Sequence, residues 1–391
     1  MRGRWTILAV LFVARAAMAF QFQSVAAVAP QLGHSLAASL ADLGILIGLY
    51  FAPGVALALP GGAIGRRYGD KATVLAGLLM MLAGEMLMSA STSWSVQIAG
   101  RLIGGTGGVL INVVMTKMVA DWFAGREIAT AMAVFVNSWP VGIAISLMLL
   151  PAIGTMFGLP AVDLGVAGLI VASIGLVAFV YRAPEAPAVL GGERGNLNTE
   201  TIYAVIAAGL IWCLYNIGLA MIFSFGPTML VERGWSASAA GSTISIVLWL
   251  AVFSVPFGGF LADRTKRGDA VLAAGCIAFA LLTLLLSRSG AVLPVVVPLG
   301  ALCGLPAGAI MSLPARVLEQ KTRPIGMGVF YTVCYAGMLA GPAIGGRLST
   351  SVGSASAALD FGAIALLLCP AILWLFRRIA ASRFRSAVSA T

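Results

Sequence analysis

The sequence predicts an all-α integral membrane protein in which twelve transmembrane helices form two six-helix bundles. Of its 391 residues, 60% are apolar and only 10% are charged, and the mean hydropathy is +1.01. Soluble domains carry about a quarter charged residues, so this composition excludes an ordinary water-soluble fold. About 20 mainly apolar residues span the hydrocarbon of a bilayer, and twelve such runs account for most of the chain.

Short polar connections separate the twelve apolar runs. The runs cover residues 5–30, 39–63, 72–92, 95–119, 128–150, 163–181, 201–224, 238–261, 270–287, 291–314, 325–346 and 356–376. The first run has the charged start and the small-residue end of a secretory signal. We interpret it as the first transmembrane helix, because Arg15 interrupts its apolar stretch and eleven more runs follow.

The positive charge of the chain is concentrated on one set of connections. The formal net charge is +10, and most of the 24 Lys and Arg residues lie at the termini and on alternate connections. Positive residues mark the cytoplasmic side of a membrane protein. We therefore expect a multi-pass protein of the bacterial inner (plasma) membrane with both termini in the cytoplasm. The charge surplus indicates topology and contact with lipid head groups, and we expect no nucleic-acid partner.

One sequence pattern occurs in both halves of the chain. GRRYGDKATVLAG at 65–77 and ADRTKRGDAVLAAG at 262–275 each follow a proline and a Gly-Gly pair. Each lies between the second and third runs of its half, so the halves share one orientation. A polar segment rich in Pro and Gly separates them, which is typical of a linker. We expect an amino-terminal bundle at 1–182, a cytoplasmic linker at 183–200 and a carboxyl-terminal bundle with a basic tail at 201–391.

These repeated stretches resemble a motif of the major facilitator superfamily of secondary transporters. The family's motif after the second helix of a half is G-x3-D-R-x-G-R-K. The matching positions are Gly62, Arg67, Gly69 and Lys71 in the first half, and Gly259, Asp263, Arg264 and Arg267 in the second. Arg66 replaces the acid of the first copy, and Lys266 replaces the glycine of the second. The resemblance implies a gating role for both clusters.

Two further motifs extend this resemblance over essentially the whole chain. Arg101 begins a match to R-x3-G-x-G, which is tied to proton coupling in the family. The eleventh run contains G-x3-G-P-x2-G-G around Gly341 and Pro342, which we interpret as a gating surface. Antiporters of the family carry that motif in the fifth span, where this chain has NSWPVG, so no antiporter is inferred. RPIGMGVFYTVCYAGM is loosely similar to cyanate-permease-like members.

Arg15 is the first candidate for substrate binding. It lies about ten residues into the first run, which at ~1.5 Å per residue is near mid-membrane. A guanidinium in a cavity there favours a carboxylate or similar anion, whereas its structural role would be to pair with a carboxylate or carbonyl. Polar and aromatic residues at similar depth complete the predicted site, although helix packing is an equally open role for each. They are Gln21, Gln23, Asn112, Asn137, Trp212, Tyr215, Asn216, Trp249, Tyr331 and Tyr335.

Glu85 and Arg101 are the candidate coupling residues. They lie at matching depths on the third and fourth runs, which are adjacent and antiparallel, so they are candidates for an ion pair. Such a pair would either neutralise two costly charges or, with a changing partner, load and release a proton.

The predicted function is secondary active transport of a small solute, expected to be an organic anion, by alternating access with proton coupling. The alternative is an efflux pump for drugs or metabolites, which the methionine-rich, aromatic interior favours. The five cysteines occur singly without CxxC spacing, and no His, Cys or acid cluster suggests a metal, a cofactor or an enzyme. The expected partners are the solute, protons and the lipid bilayer, and we expect a monomer.

Overall fold

The computed structural model describes residues 2–58, 60–123, 127–183, 197–319 and 322–389. Within these ranges, 12 helices are long and apolar enough to cross a membrane. We number them α1 (Gly3–Ala27), α2 (Leu40–Leu57), α3 (Asp70–Ser89), α4 (Trp94–Trp122), α5 (Thr130–Phe157), α6 (Leu159–Val180), α7 (Thr199–Glu232), α8 (Ala237–Thr265), α9 (Gly268–Arg288), α10 (Val292–Arg316), α11 (Ile325–Val352) and α12 (Ser356–Ala381). The predicted all-α membrane fold is confirmed.

Two of the twelve helices are interrupted by proline. In α2 the helix stops at Leu49 and resumes at Ala52, next to Pro53. In α10 it stops at Cys303 and resumes at Leu305, next to Pro306. Proline has no backbone N–H, and its ring clashes with the carbonyl four residues earlier. Each break frees backbone groups inside the membrane, where other donors and acceptors must satisfy them.

Helices α1 to α6 pack on one another, as do α7 to α12. In the first set α1 packs on α5 and α3 packs on α4, while in the second α7 packs on α12 and α11. The main contacts between the two bundles are made by α2 with α11 and by α5 with α8. Most of the predicted linker, residues 184–196, lies outside the described residues.

Glycine allows α2 and α11 to approach each other closely. A Cβ atom on Gly44 would collide with the backbone carbonyl of Pro342, and one on Gly48 would collide with that of Leu339. Small residues at a helix contact permit this packing in lipid, where no hydrophobic effect drives helices together. The interface between the bundles is therefore formed partly by direct backbone contact.

The alternation of the helices divides the protein into two faces. We call the end that carries Arg4, Arg67, Lys71, Arg264 and Arg267 the basic face, and the other end the opposite face. Helix α2 starts at the opposite face with a capping box, in which the Ser39 side chain accepts the Asp42 N–H and the Asp42 side chain accepts the Ser39 N–H. This cap fixes the start of the helix that contacts α11.

Candidate functional site

Arg15 is the centre of a hydrogen-bonded network near the middle of α1. Its Nε donates to Asn112 Oδ1 of α4 at 2.9 Å, and Asn112 Nδ2 donates to Tyr335 Oη of α11 at 3.0 Å. The chain therefore brings three of the predicted binding residues together. It also joins the amino-terminal bundle to the carboxyl-terminal bundle through polar side chains.

One nitrogen of Arg15 also holds α5. Nη1 donates to the carbonyls of Phe135 at 3.1 Å and Val136 at 2.9 Å, and to Ser138 Oγ at 3.2 Å. Pro140, inside α5, has no N–H for the Val136 carbonyl four residues earlier. Arg15 satisfies this freed carbonyl, which is a structural role of the kind expected for a charge inside the membrane.

The other guanidinium nitrogen of Arg15 remains available. Arginine has five N–H donors, and Nη2 has no hydrogen-bond partner among the described residues. The residue is partly exposed, and its guanidinium carbon lies 4.9 Å from the centre of the Phe135 ring. Arg15 is thus held in place on one side while two charged N–H groups stay free.

Aromatic rings surround this network. The Tyr335 ring stacks on Phe51 with centroids 5.8 Å apart, and the predicted binding residue Tyr331 lies 6.5 Å from Tyr335. Phe51 also contacts Trp139 at 5.9 Å. The sequence analysis missed Phe51 and Trp139. Both lie within two residues of a helix proline, Pro53 and Pro140, which is the signal that could have identified them.

Glu85 and Arg101 do not form the predicted ion pair. Glu85 Oε2 accepts a hydrogen bond from Gln21 Nε2 at 3.0 Å. Arg101 donates to the carbonyls of Gln21 at 3.1 Å, Phe22 at 2.9 Å and Leu46 at 3.1 Å, and none of the described carboxylates pairs with it. The prediction was wrong because a shared depth does not bring the two side chains together. Gln21 lies between them: its amide donates to Glu85, and its backbone carbonyl accepts from Arg101.

Gln21 therefore belongs to a second network inside the amino-terminal bundle. Besides Glu85, its amide donates to the Met81 carbonyl at 2.8 Å, and its Oε1 accepts from Tyr50 Oη at 3.2 Å. The Arg101 guanidinium lies over the Tyr50 ring at 4.9 Å. Glu85 and Arg101 are 2% and 1% exposed, so this network is sealed on most sides by protein.

The remaining predicted binding residues make other contacts or are exposed. Gln23 donates to the Phe223 carbonyl at 2.7 Å, and Asn137 donates to the Val252 carbonyl at 3.3 Å, so both bridge the bundles. Within the carboxyl-terminal bundle, the Tyr215 hydroxyl donates to the Cys303 carbonyl at 3.0 Å, and the Asn216 amide donates to the Trp212 carbonyl at 2.7 Å. The Trp212 ring stacks on the Tyr215 ring with centroids 5.4 Å apart. Trp249 is 36% exposed. The structure joins none of these side chains to the Arg15 network by a described hydrogen bond.

Among the predicted gating residues of the first half, Lys71 has specific partners. Its Nζ donates to the carbonyls of Ala178 at 2.8 Å and Tyr181 at 3.1 Å, at the end of α6. Arg67 lies over the Tyr68 ring at 5.4 Å, and Gly69 has a φ of +86°. Gly62 is in the short helix Gly61–Tyr68. Lys71 thus ties this cluster to its own bundle.

The second gating cluster is exposed at the basic face. Asp263, Arg264 and Arg267 are exposed, and Arg264 lies over the Phe260 ring at 5.9 Å. Lys266 has a φ of +53° where the family motif has glycine, which explains the preference for glycine there. Gly259, the first residue of this motif, lies beside Gly308. On α11, Gly341 faces Ile217 and Pro342 faces Gly44. The gating role of both motifs and of the α11 residues stays a prediction.

Comparison with known proteins places this architecture in a family. The model of the Major Facilitator Superfamily matches residues 11–221 and 208–388. The chain is 25% identical over 265 residues to the hexuronate transporter of Bacillus subtilis (strain 168), and this match spans 62% of the chain and 60% of that protein. It is 27% identical over 327 residues to the inner membrane transport protein YajR of Escherichia coli (strain K12), spanning 80% of the chain and 70% of that protein.

A solved structure shares the fold over nearly the full length. The crystal structure of a bacterial homolog to the human lysosomal transporter Spinster, in an inward-facing and occupied conformation, matches with a TM-score of 0.75 and 14% identity, covering 98% of this chain and 97% of that one. At this identity the likeness shows the fold alone. With twelve spans, two bundles and a family model that matches most of its length, the chain belongs to the Major Facilitator Superfamily of membrane transporters and is not an enzyme.

Proposed function

We propose that this protein is a secondary active transporter that moves a small organic anion by alternating access. The observation that carries this proposal is the Nη2 group of Arg15, whose N–H donors have no partner among the described residues while the rest of the guanidinium is held by α4 and α5. A fixed, charged donor near mid-membrane is suited to a carboxylate, since such charge-assisted hydrogen bonds are stronger than neutral ones.

The position of Arg15 supports a link between anion binding and movement of the bundles. The Arg15–Asn112–Tyr335 chain crosses from one bundle to the other through two hydrogen bonds of 2.9 and 3.0 Å. A carboxylate that binds Arg15 in bidentate fashion, through Nη2 and Nε, would compete with Asn112 for Nε, and Asn112 is the residue that contacts Tyr335. Binding energy at Arg15 would therefore alter a contact between the bundles, as alternating access requires.

Proton coupling is proposed for the Gln21–Glu85 contact. Protonation of Glu85 at Oε2 would place an O–H donor where the Gln21 amide now donates at 3.0 Å, so this contact would have to rearrange. Gln21 and Arg15 both lie on α1, and the Gln21 carbonyl also accepts from Arg101. A proton at Glu85 would thus act on the helix that carries the anion site.

The proposed location is the bacterial inner membrane, with the basic face in the cytoplasm. The distribution of Lys and Arg supports this topology. The name of the Bacillus relative, a hexuronate transporter, supports the anion class, since a hexuronate is a carboxylate.

The test is thermal unfolding of the purified protein in detergent with glucuronate and acetate, and with glucose as the neutral control. A ligand at a hundred times its dissociation constant adds ~2.7 kcal/mol to the stability of the folded protein. We expect a carboxylate to stabilise the wild type, to stabilise Arg15→Lys less and to have no effect on Arg15→Ala. Equal stabilisation of all three proteins would contradict the proposal.

A second candidate function is efflux of hydrophobic cations. Three aromatic rings favour it, because ring faces attract cations. The centroid of the Phe51 ring lies 5.9 Å from that of Trp139 and 5.8 Å from that of Tyr335. Tetraphenylphosphonium in the same unfolding assay tests it. Stabilisation by this cation that persists in Arg15→Ala, together with no response to carboxylates, would favour efflux.

A further inference from the structure

A cavity of about 560 Å³ lies within the amino-terminal bundle at the opposite face, away from Arg15. Its walls come from the last turns of α1 and α3, the first turns of α4 and α6, and the short helix Ala29–Leu36. No residue of the carboxyl-terminal bundle lines it. The volume is in the range of small-molecule sites, which is about 300–1,000 Å³.

Two carboxylates line this cavity, which we call the Glu85–Asp163 cavity. Glu85 is at its deep end, 2% exposed, and accepts a hydrogen bond from Gln21. Asp163 is partly buried and makes neither an ion pair nor a hydrogen bond with any of the described residues. Asp163 lies in the first two turns of α6, and a partly buried carboxylate without a partner there is open to a cationic ligand.

Gln97 gives an independent indication of a ligand. This side chain lines the cavity and is 4% exposed. Its Nε2 donates to the carbonyls of Met88 at 2.8 Å and Ser91 at 2.7 Å, which fixes the orientation of the amide. Its Oε1 is buried without a hydrogen-bond partner. A buried acceptor without a donor is unfavourable, so a donor from a ligand would remove this cost.

The lining as a whole defines the chemistry of that ligand. Glu85, Asp163 and Gln97 supply acceptors, and the lining contains no Lys, Arg or His. The neighbouring Arg101 donates to three backbone carbonyls and does not line the cavity. Apolar residues form much of the remaining wall, among them Val25, Leu36, Met88, Leu159 and Val162. A cation with N–H donors and a short aliphatic body matches both parts of this surface.

We propose that the Glu85–Asp163 cavity binds a small aliphatic primary ammonium. Its charge is balanced by Asp163 and Glu85, and its N–H donors supply the partner that Gln97 Oε1 lacks. Ammonium has three N–H donors, whereas a bare metal ion would need more oxygen ligands than these two acids and one amide provide. The site lies apart from the Arg15 network and differs from it in charge, and it shares only Glu85 with the proposed proton-coupling contact.

The test uses n-hexylammonium on the purified full-length protein, with 1-hexanol and hexanoate as probes of matched length. We expect saturable thermal stabilisation by hexylammonium alone. Asp163→Asn should lower the affinity for hexylammonium about tenfold, because it removes a charge-assisted hydrogen bond. Asp163 makes no described hydrogen bond or ion pair, so we expect this variant to keep the fold, which size-exclusion chromatography checks.

Asp360→Asn is the matched control, because it removes an acid at the same face in the other bundle, where Asp360 pairs with Arg288 at 2.8 Å. It should leave hexylammonium binding unchanged. Stabilisation by hexanol equal to that by hexylammonium would overturn the proposal, since it would show that only apolar contact matters. Unchanged affinity in Asp163→Asn would overturn it as well.

The ammonium could come from solution or from the head group of a lipid. Nanodiscs of phosphatidylcholine, with and without phosphatidylethanolamine, distinguish the two sources. Weaker hexylammonium binding in discs that contain phosphatidylethanolamine would support the site with a lipid head group as its occupant. Equal binding in both discs would support it with a free ammonium, and absence of Asp163-dependent binding in both would overturn it.

Discussion

The amino-terminal bundle buries charged side chains, whereas none of the described charged side chains of the carboxyl-terminal bundle is buried. Arg15 lies near the middle of α1 and Arg101 is 1% exposed on α4, and each donates to backbone carbonyls. In the other bundle Asp360 and Arg288 pair near helix ends. The comparison teaches that two halves of related sequence can differ in polarity, since buried charge is found in one half and the described charges of the other stay partly or fully exposed.

The amino-terminal bundle itself contains two contrasting sites. The Arg15 network offers free donors at the contact between the bundles, whereas the Glu85–Asp163 cavity offers free acceptors within one bundle. Gln21 connects the two regions, because it lies on α1 with Arg15 and its amide donates to Glu85, which lines the cavity. Opposite charges can therefore be recognised at two places without mutual neutralisation.

The largest effect is expected from Arg101→Ala, which would test whether the buried charges of the amino-terminal bundle hold that bundle together. The substitution removes three hydrogen bonds from a charged donor to backbone carbonyls, and hydrogen bonds of charged groups contribute about 1.5–3 kcal/mol each. We expect a loss of at least about 3 kcal/mol, measured by thermal unfolding in detergent. The control is Arg347→Ala, at an exposed position of α11, which should change stability by less than ~0.5 kcal/mol. Similar losses in both variants would contradict the contrast between the bundles.

A smaller effect is expected from Gly44→Ala, which tests the backbone contact between α2 and α11. The added Cβ would collide with the Pro342 carbonyl, and overpacking of this kind costs about 1–3 kcal/mol. We expect lower thermal stability and slower transport in proteoliposomes. Gly165→Ala on α6 is the matched control, because nothing lies within 4 Å of its added Cβ. If Gly44→Ala behaves like Gly165→Ala, the contact does not constrain the bundles.

The smallest effect on stability is expected from Tyr335→Phe. It removes the hydroxyl that accepts from Asn112 and leaves the stacking on Phe51 intact, so the loss should be about 1 kcal/mol. The transport rate should fall by more than this loss of stability alone would cause, since the hydrogen bond joins the two bundles. Tyr203→Phe, on an exposed residue of α7, serves as the control. An unchanged transport rate in Tyr335→Phe would remove the Arg15–Asn112–Tyr335 chain from the mechanism.

The fold could be predicted because apolar length and charge asymmetry report directly on spans and orientation. The site could be predicted only in part, since sequence gives depth in the membrane but not the direction in which a side chain points. Arg15, Asn112 and Tyr335 share a depth and do meet. Tyr215 was predicted at similar depth, yet it points to Cys303 within its own bundle. The Glu85–Arg101 pair failed for the same reason, because Gln21 comes between them.

The carbonyl that Pro140 frees on α5 has a consequence for how the chain enters the membrane. Arg15 is synthesised 121 residues before the Val136 carbonyl that accepts its hydrogen bond. At about 5–20 residues per second, the ribosome needs roughly 6–24 s to make that stretch. During this time the first helix carries a mid-membrane charge without its partner, at a cost of a few kcal/mol. We therefore expect the first helix to reach its final depth only after the fifth has been inserted and the Val136 carbonyl can accept from Arg15.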